Sequence, residues 1–287
     1  MRPFTLIAPM IAMICGMLMA LLHHGEAHRF FESYWIISLA AVAMALAQMC
    51  GQVINQAEDP VELDIMNRKG YRPVPQGQIS KLTARRIGYG AGAVAFILAL
   101  LISRRFGLGM AVILFFAIFY SVEPVRGKRR KIINALWLGV SRGFLPLLIA
   151  WSIFYSPWHP VPLVLAVILF IWVSAFNITK DFPDLAGDSA YHIPTFPALF
   201  GVDRTKTFMQ WMNGAALCGL ITAIAIDILP PGFLLACPIF LFAAIVIHRI
   251  NRKSPKRNPV ENNSSWMFYY LGLGGLYILF TLAMVIA

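Results

Sequence analysis

The chain has 287 residues, of which 59% are hydrophobic and only 13% are charged, and its formal net charge is +11. Soluble domains carry roughly 25% charged residues, so this composition excludes an ordinary soluble protein and indicates segments that lie in lipid. A basic chain suits nucleic acid, anionic lipid or an anionic substrate. Because the basic residues fall in short loops between apolar runs, we expect membrane lipid and an anionic substrate as partners, and no nucleic acid.

Nine apolar runs have about the length at which a helix crosses a bilayer, which is roughly 20 residues. They lie near residues 4–23, 34–57, 80–103, 107–122, 132–153, 160–181, 207–228, 232–250 and 265–286. The first run is longer than the apolar part of a usual signal peptide, so we interpret it as a membrane helix. The sequence therefore predicts an all-α integral membrane protein with a single membrane-embedded domain over residues 1–287.

Lys and Arg are concentrated at the N-terminus and in the loops after the second, fourth, sixth and eighth predicted helices. The opposite loops hold Arg29, Arg104 and Arg105. Cytoplasmic loops of membrane proteins carry an excess of Lys and Arg. We therefore predict a multi-pass protein of the cell membrane whose N-terminus and four basic loops face the cytoplasm.

Two acidic clusters end the second and the sixth predicted helices, on the predicted cytoplasmic side. Their members are Glu58, Asp59, Glu62 and Asp64 in the first cluster, and Asp181, Asp184 and Asp188 in the second. An Asn precedes each cluster in the same way, as Asn55-x3-Asp59 and Asn177-x3-Asp181. An offset of four spans is typical of a parallel repeat with the site between its halves. The pattern predicts two pseudo-repeats of four helices each, plus one further helix.

The second cluster places oxygen ligands on one helix face. At about 100° per residue, Asn177, Asp181, Asp184 and Asp188 fall within an arc of about 60°. Carboxylates crowded in this way repel one another unless a cation lies among them, and hard oxygen ligands suit Mg²⁺ together with substrate phosphates. We expect Gly187 to unwind the helix so that Asp188 can reorient.

The first cluster is less regular. Asn55, Asp59 and Glu62 share one helix face, whereas Asp64 reaches that face only if Pro60 ends the helix. The residues leave open whether Glu62 or Asp64 supplies the third metal ligand. A single acidic cluster is readily explained as a solvated helix end, but two matching clusters in a charge-poor membrane protein favour a functional site.

Basic residues in the same loop layer predict how an anion is held. The candidates for contact with a diphosphate are Arg68, Arg72, Arg126, Lys128 and Lys180. Acidic and basic groups around one cavity fit a diphosphate that is bound through Mg²⁺ and clamped by Arg and Lys. The alternative for any one of these basic residues is contact with the membrane surface.

Aromatic residues of the predicted helices are candidates for lining a tunnel for an isoprenoid tail, with ordinary helix packing as the alternative for each. They are Phe96, Tyr120, Trp137, Phe144, Trp151, Phe170, Trp172, Phe176 and Trp211. Arg142 lies within the fifth predicted helix, where a charge must have a partner or face a cavity. His23, His24 and His28 are on the opposite side from the acids, and we interpret them as an interfacial loop rather than a metal site.

Three segments together resemble the UbiA superfamily of intramembrane prenyltransferases. NQAEDPVELDIMNRKGYRPVPQG at 55–77 is similar to its N-x3-D-x3-D motif with an R-P loop, although the spacing from Asp59 to Asp64 is one residue longer. KDFPDLAGD at 180–188 matches D-x2-D-x2-G-D, and YSVEPVRGKRR at 120–130 resembles a Y-S-x2-P segment. The resemblance implies nine helices around a central cavity, and diphosphate contacts by Arg72, Lys128 and Lys180. It implies Mg²⁺ ligands at Asn55, Asp59, Asp64, Asp181, Asp184 and Asp188.

We therefore predict a Mg²⁺-dependent prenyltransferase that takes an isoprenoid diphosphate as substrate, with Asp59 and Asp181 as its catalytic residues. The acceptor, whether an aromatic ring, a hydroxyl or an alkene, is not given by the sequence. The first alternative is a membrane terpene cyclase of the same family, in which the substrate's own double bond captures the cation. The second is a transporter, which the position of the acids at helix ends rather than mid-span disfavours.

Overall fold

The computed structural model describes residues 3–67, 69–130, 132–250 and 264–286. Within these ranges the chain is helical and contains no β-strand, which confirms the all-α prediction. The α-helices are α1 (Ile7–His23), α2 (Arg29–Glu32), α3 (Tyr34–Glu58), α4 (Val61–Met66), α5 (Lys81–Ile102), α6 (Arg104–Phe119), α7 (Ile133–Gly139), α8 (Leu145–Trp151), α9 (Pro160–Phe176), α10 (Asp181–Ala190), α11 (Phe196–Ala225), α12 (Cys237–His248) and α13 (Ser264–Val285). Short 3₁₀ turns cover Pro3–Leu6, Gly127–Arg129, Asn177–Lys180 and Pro231–Ala236, and a π-helical turn covers Val140–Phe144.

In the part of the chain that the structure describes, seven helical segments are long and apolar enough to cross a membrane, which indicates a multi-pass membrane protein. They are Tyr34–Glu58, Lys81–Ile102, Ile133–Trp151, Pro160–Ala190, Phe196–Ala225, Pro231–His248 and Ser264–Val285. The first and the fourth predicted spans fall on α1 and α6, whose 17 and 16 residues are fewer than the roughly 20 that a span needs. The count of nine spans, the pseudo-repeat and the orientation of the termini stay predictions.

The helices pack around two apolar cores. Buried residues of α3, α5 and α6 form one core, and those of α9, α11, α12 and α13 form the other, while α1 and α8 contribute to both. Small residues allow the close approach of the segment Ile133–Trp151 to α9. A Cβ atom on Gly143 would lie 2.6 Å from the backbone oxygen of Leu169, so only glycine fits there. This contact fixes the π-helical turn, and with it Arg142, against α9.

Both acidic clusters lie where a membrane helix changes direction or geometry. Helix α3 ends at Glu58, and Asp59 and Pro60 are extended, as predicted for a proline that ends the helix. Helix α9 passes through the 3₁₀ turn Asn177–Lys180 into α10. The expected unwinding at Gly187 is wrong, because α10 continues in α-helical form to Ala190.

Candidate active site

A cavity of about 240 Å³ lies between the two cores and draws its walls from helices at both ends of the sequence. Its mouth is polar, and its deeper wall is apolar, with side chains such as Ala12, Met44 and Ile113. Nine of the residues predicted from sequence line it: Asn55, Asp59, Asp64, Arg72, Lys128, Lys180, Asp181, Asp184 and Asp188. The structure thus brings the two motifs together at a single cavity.

Lys128 connects the loop after α6 to the first motif. Its ammonium lies 2.5 Å from a carboxylate oxygen of Asp59 and donates to the side-chain oxygen of Asn55 at 3.1 Å. Ser121 donates to the same oxygen of Asn55 at 2.9 Å. Burial lowers the pKa of Lys128 below its ordinary value, against the opposing effect of the Asp59 carboxylate. The end of α3 is therefore a paired acid and base that face the cavity.

Asp64, rather than Glu62, faces the cavity. Asp64 is only 3% exposed, and its carboxylate accepts a hydrogen bond from Arg72 at 2.9 Å. Burial raises the pKa of Asp64, although the guanidinium of Arg72 acts in the opposite direction. Glu62 is exposed to solvent, outside the cavity lining. The turn that Pro60 begins points Asp64, and not Glu62, toward the cavity.

The second motif is joined to the first by an ion pair. Lys69, in the loop after α4, donates to the carboxylate of Asp184 on α10. The other carboxylate oxygen of Asp184 is buried and has no hydrogen-bond partner among the described residues. Asp181 is buried 3.8 Å from the ammonium of Lys180. Lys69, a basic loop residue outside the predicted set, therefore contacts a predicted metal ligand.

A small network positions Lys180. The ammonium of Lys180 donates to the hydroxyl of Tyr120 at 2.6 Å, and lies 5.1 Å from the centre of its ring. The Tyr120 hydroxyl in turn donates to the side-chain oxygen of Asn134 at 3.0 Å. All three residues line the cavity. Lys180 is thereby held at the mouth rather than released to the membrane surface.

Two predicted site residues that the structure describes, Asn177 and Arg126, are outside the cavity lining. Asn177 is 1% exposed and accepts a long hydrogen bond, 3.5 Å, from Arg142 instead. Arg126 pairs with the exposed carboxylate of Glu123 at 3.1 Å and is outside the cavity lining. Arg68 lies outside the residues that the structure describes.

Aromatic side chains do line the cavity, but they are not the predicted ones. Of the nine candidates, Tyr120 alone is in its wall. Trp172 and Phe176 stack on each other in the core, with ring centres 4.5 Å apart, and Trp211 is 76% exposed. The aromatic residues that the sequence missed are Phe116 on α6 and Trp266, Tyr269 and Tyr270 on α13. The prediction is wrong because helix periodicity does not show which face of a uniformly apolar helix meets a cavity.

The UbiA prenyltransferase family model matches residues 10–272. The chain belongs to this family. A probable homogentisate phytyltransferase 2 of Oryza sativa subsp. japonica is 26% identical over 80% of this chain and 61% of its own length. A digeranylgeranylglyceryl phosphate synthase of Methanobrevibacter smithii is 27% identical over 77% of this chain and 80% of its own length. The chain thus matches less than two thirds of the rice relative.

Solved structures of UbiA homologs share the fold of this chain. One from Archaeoglobus fulgidus, bound to GPP and Mg²⁺, has a TM-score of 0.70 at 16% identity, and covers 100% of this chain and 98% of that one. The apo structure of a homolog from Aeropyrum pernix K1 has a TM-score of 0.69 at 19% identity, with coverage of 100% and 98%. The full-length match shows that the helices of this UbiA family member have the family's arrangement.

The carboxylate oxygens of this UbiA family member suit a metal ion that binds together with a phosphorylated ligand. Among the described residues, no three His, Cys, Asp or Glu converge into a complete metal site. Four acids at the mouth, Asp59, Asp64, Asp181 and Asp184, instead pair singly with Lys or Arg. The second carboxylate oxygen of Asp184 is buried. Mg²⁺ needs only one or two protein carboxylates when substrate phosphates complete its shell. The residues therefore fit Mg²⁺ bound jointly with a diphosphate.

Gly187 makes room for Asn67 between the two motifs. A Cβ atom at position 187 would lie 2.0 Å from the side-chain oxygen of Asn67, which is 5% exposed. We expect Gly187→Ala to push the loop carrying Asn67 and Lys69 away from α10. Overpacking of this kind lowers the free energy of unfolding by about 1–3 kcal/mol. The unfolding temperature in detergent should fall by roughly 2–4 °C for each kcal/mol lost.

Gly90→Ala is the matched control, since a Cβ atom there meets nothing within 4 Å. Alanine is the better helix former, so this variant should be at least as stable as the wild type. Equal unfolding temperatures for Gly187→Ala and Gly90→Ala would contradict the close contact between Gly187 and Asn67.

Proposed function

We propose that this UbiA family protein transfers a prenyl group from an isoprenoid diphosphate to an acceptor inside the membrane, with Mg²⁺, and releases diphosphate. One observation carries the proposal: the two Asn/Asp motifs and their basic partners meet at the mouth of one cavity whose interior is apolar. A charged mouth suits the diphosphate, and an apolar interior suits the isoprenoid tail. The names of the relatives, a phytyltransferase and a prenyl-lipid synthase among them, support the same chemistry.

In this proposal the carboxylates of both motifs hold the metal and the basic residues hold the diphosphate. Asn55, Asp59 and Asp64 act from one side, and Asp181, Asp184 and Asp188 act from the other. When bound, Mg²⁺ offsets the negative charge that develops on the leaving diphosphate. Arg72, Lys128 and Lys180 contribute in the same direction by donating hydrogen bonds to phosphate oxygens. Asn177 supports the site through Arg142 rather than as a direct ligand.

The reaction breaks the bond between the first prenyl carbon and the diphosphate oxygen, and the electron pair leaves with diphosphate. The allylic carbon then forms a bond with a nucleophilic atom of the acceptor, which loses a proton. The faces of Phe116, Trp266 and Tyr269 are suited to the transient positive charge. The apolar wall keeps water away from the cation, so that transfer is favoured over hydrolysis.

The proposal places the chemistry in a single membrane domain spanning residues 1–287, with the cavity mouth at the cytoplasmic face of the cell membrane. The support for this orientation is the excess of Lys and Arg in the loops that carry the mouth, because such loops face the cytoplasm. Access from that side suits a charged diphosphate. The apolar remainder of each substrate reaches the cavity through lipid.

The test is a panel of prenyl diphosphates of ten to twenty carbons, given to the purified full chain in lipid nanodiscs with and without candidate acceptors. We expect diphosphate release that requires Mg²⁺ and stops on chelation, with a prenylated acceptor detected by mass spectrometry. Absence of diphosphate release with every chain length would reject the proposal. A cyclic hydrocarbon or alcohol formed without acceptor would identify a terpene cyclase instead, an activity that the names of the two relatives described above do not include.

A further inference from the structure

A second concave surface, of about 290 Å³, lies where the start of α11 meets the residue that precedes α7. We call this surface the α11 groove. It is lined by Ile132, Phe196, Phe200, Arg204 and Phe208. None of these five residues lines the central cavity. The α11 groove is therefore distinct from the site that holds the acidic motifs and their basic partners.

A break in α11 builds the groove. Gly201 has a φ of 77° inside this helix, a conformation that favours glycine. Phe196 and Phe208 lie on either side of the break, twelve positions apart, and a continuous helix would separate them by about 18 Å. Their rings instead stack with centres 4.7 Å apart. The first segment of α11 is thus folded back on the second, and the concave surface lies between them.

Arg204 is the charged residue of the groove lining. Within the part of the chain that the structure describes, no ion pair joins it to an Asp or Glu. Asp203 precedes it, but successive residues of a helix point about 100° apart. Lys206 donates instead to the backbone oxygens of His248 and Ile250, at the end of α12. The guanidinium of Arg204 stays charged, because arginine does not lose its proton in proteins, and an anion is the partner that it lacks.

The apolar side chains around Arg204 face outward. Ile132 and Phe200 are exposed although both are large and apolar. On the second segment of α11, Arg204, Phe208 and the exposed Trp211 fall within an arc of about 60°, so one helix face continues the groove along the membrane surface of the protein. A cation at the head of an apolar strip has the pattern of a site for a molecule with an anionic head and a long tail.

The groove lies at the end of the helices that carries the cavity mouth. Thr195 lines the cavity, and Phe196 follows it in the groove. Arg130, two positions before Ile132, is another exposed cation, and its printed partners in this loop are backbone oxygens. We propose above that this end faces the cytoplasm, where the leaflet contains anionic lipids and basic pockets between helices bind their head groups. The charges around the groove therefore complement an anionic head group better than a zwitterionic one.

We infer that the α11 groove binds one anionic phospholipid of the surrounding leaflet. The phosphate accepts hydrogen bonds from Arg204, whose planar guanidinium donates two in parallel. An acyl chain lies along Phe200, Phe208 and Trp211 and covers their exposed rings. This inference goes beyond prenyl transfer, because it assigns a ligand to the outer surface of the protein and involves no reaction.

The experiment exchanges the lipid around the purified full chain. The protein is delipidated in a neutral detergent and then titrated with dioleoylphosphatidylglycerol or with zwitterionic dioleoylphosphatidylcholine, which has the same acyl chains. Native mass spectrometry counts the retained lipids, and the unfolding temperature reports binding, since a ligand of the native state stabilises it. Wild type should retain one phosphatidylglycerol with a preference of about fivefold or more, the size expected for one arginine near an anionic lipid.

Substitutions then test the two parts of the groove. Arg204→Gln should reduce the preference to less than about twofold, whereas Arg204→Lys should keep most of it. Phe208→Ala should weaken the retention of both lipids and leave the preference unchanged, because it removes contact with the acyl chain. Arg86→Gln is the matched control, since Arg86 is exposed near the start of α5 and lines neither the cavity nor the groove. It removes the same charge and should keep the full preference.

Equal retention of the two lipids by wild type overturns the inference without any variant. A preference that survives in Arg204→Gln does the same. Loss of the preference to the same extent in Arg86→Gln also overturns it, because the lipid would then respond to net charge rather than to the groove. Displacement of the lipid by an equal concentration of glycerol 3-phosphate would mean that an anion alone is bound, and rejects the lipid. None of these results depends on prenyl transfer, so they are independent of the proposed function.

Discussion

Asp59→Asn and Asp181→Asn should each reduce the kcat for prenyl transfer about 10²–10³-fold. This is the loss typical when one electrostatic contact to a developing anion is removed. Each substitution keeps the shape of the side chain and removes its charge at the cavity mouth. Asp59 contacts Lys128, and Asp181 lies beside Lys180, so each variant alters the groups proposed to receive the diphosphate. Diphosphate release at saturating substrate and Mg²⁺ measures the effect, and gel filtration in detergent reports folding.

Glu62→Gln is the control for both variants. Glu62 belongs to the same acidic cluster, but it is exposed and outside the cavity lining. It should retain activity within about twofold, as surface substitutions away from special contacts usually have small effects. Near-normal turnover in both Asp59→Asn and Asp181→Asn would remove the two aspartates from the mechanism. Loss of activity in Glu62→Gln would show that the cluster acts through net charge rather than through position.

Local sequence signals were sufficient to predict that both acidic clusters end apolar helices, but they left open whether Glu62 or Asp64 turns inward. The pattern Asn-x3-Asp occurs at the ends of two apolar helices, and Pro60 ends the first of them, so that Asp64 turns inward. These features depend on residues within one or two helical turns. Helix periodicity and proline chemistry therefore describe them before any tertiary contact is known.

Contacts between distant segments could not be predicted in this way. Lys69 pairs with Asp184 across 115 positions of the chain, and in the sequence it was one more basic loop residue. Tyr269 and Tyr270 reach the cavity from α13, which carries no motif. The depth and the face of such residues are set by how helices pack against one another. A predicted buried charge at Arg142 required a partner or a cavity, and the structure shows both, but the sequence did not indicate Tyr270.

Lys128→Gln should lower kcat/KM for the prenyl diphosphate about 10²–10³-fold. The Lys128 side chain is 11% exposed, and its ammonium bridges Asp59 and Asn55 at the end of α3. Glutamine retains a donor for Asn55 but removes the positive charge that we propose acts on the leaving diphosphate. Both the KM of the donor and kcat should change, because that charge contributes to binding and also to the transition state, in which the charge on the leaving oxygen is larger.

Arg126→Gln makes this prediction specific, since Arg126 lies two positions away in the same basic loop. Its guanidinium pairs with the exposed Glu123 and is outside the cavity lining, so its removal should change kcat/KM less than about threefold. If the loop acted only by attracting anions to a positive surface, the two variants would lose activity alike, and raising the salt concentration would weaken both wild type and variants. A large loss confined to Lys128→Gln, and insensitive to salt, requires a direct contact with the substrate. Such a contact is available only to a side chain that faces the cavity, as Lys128 does beside the carboxylate of Asp59 and Arg126 does not.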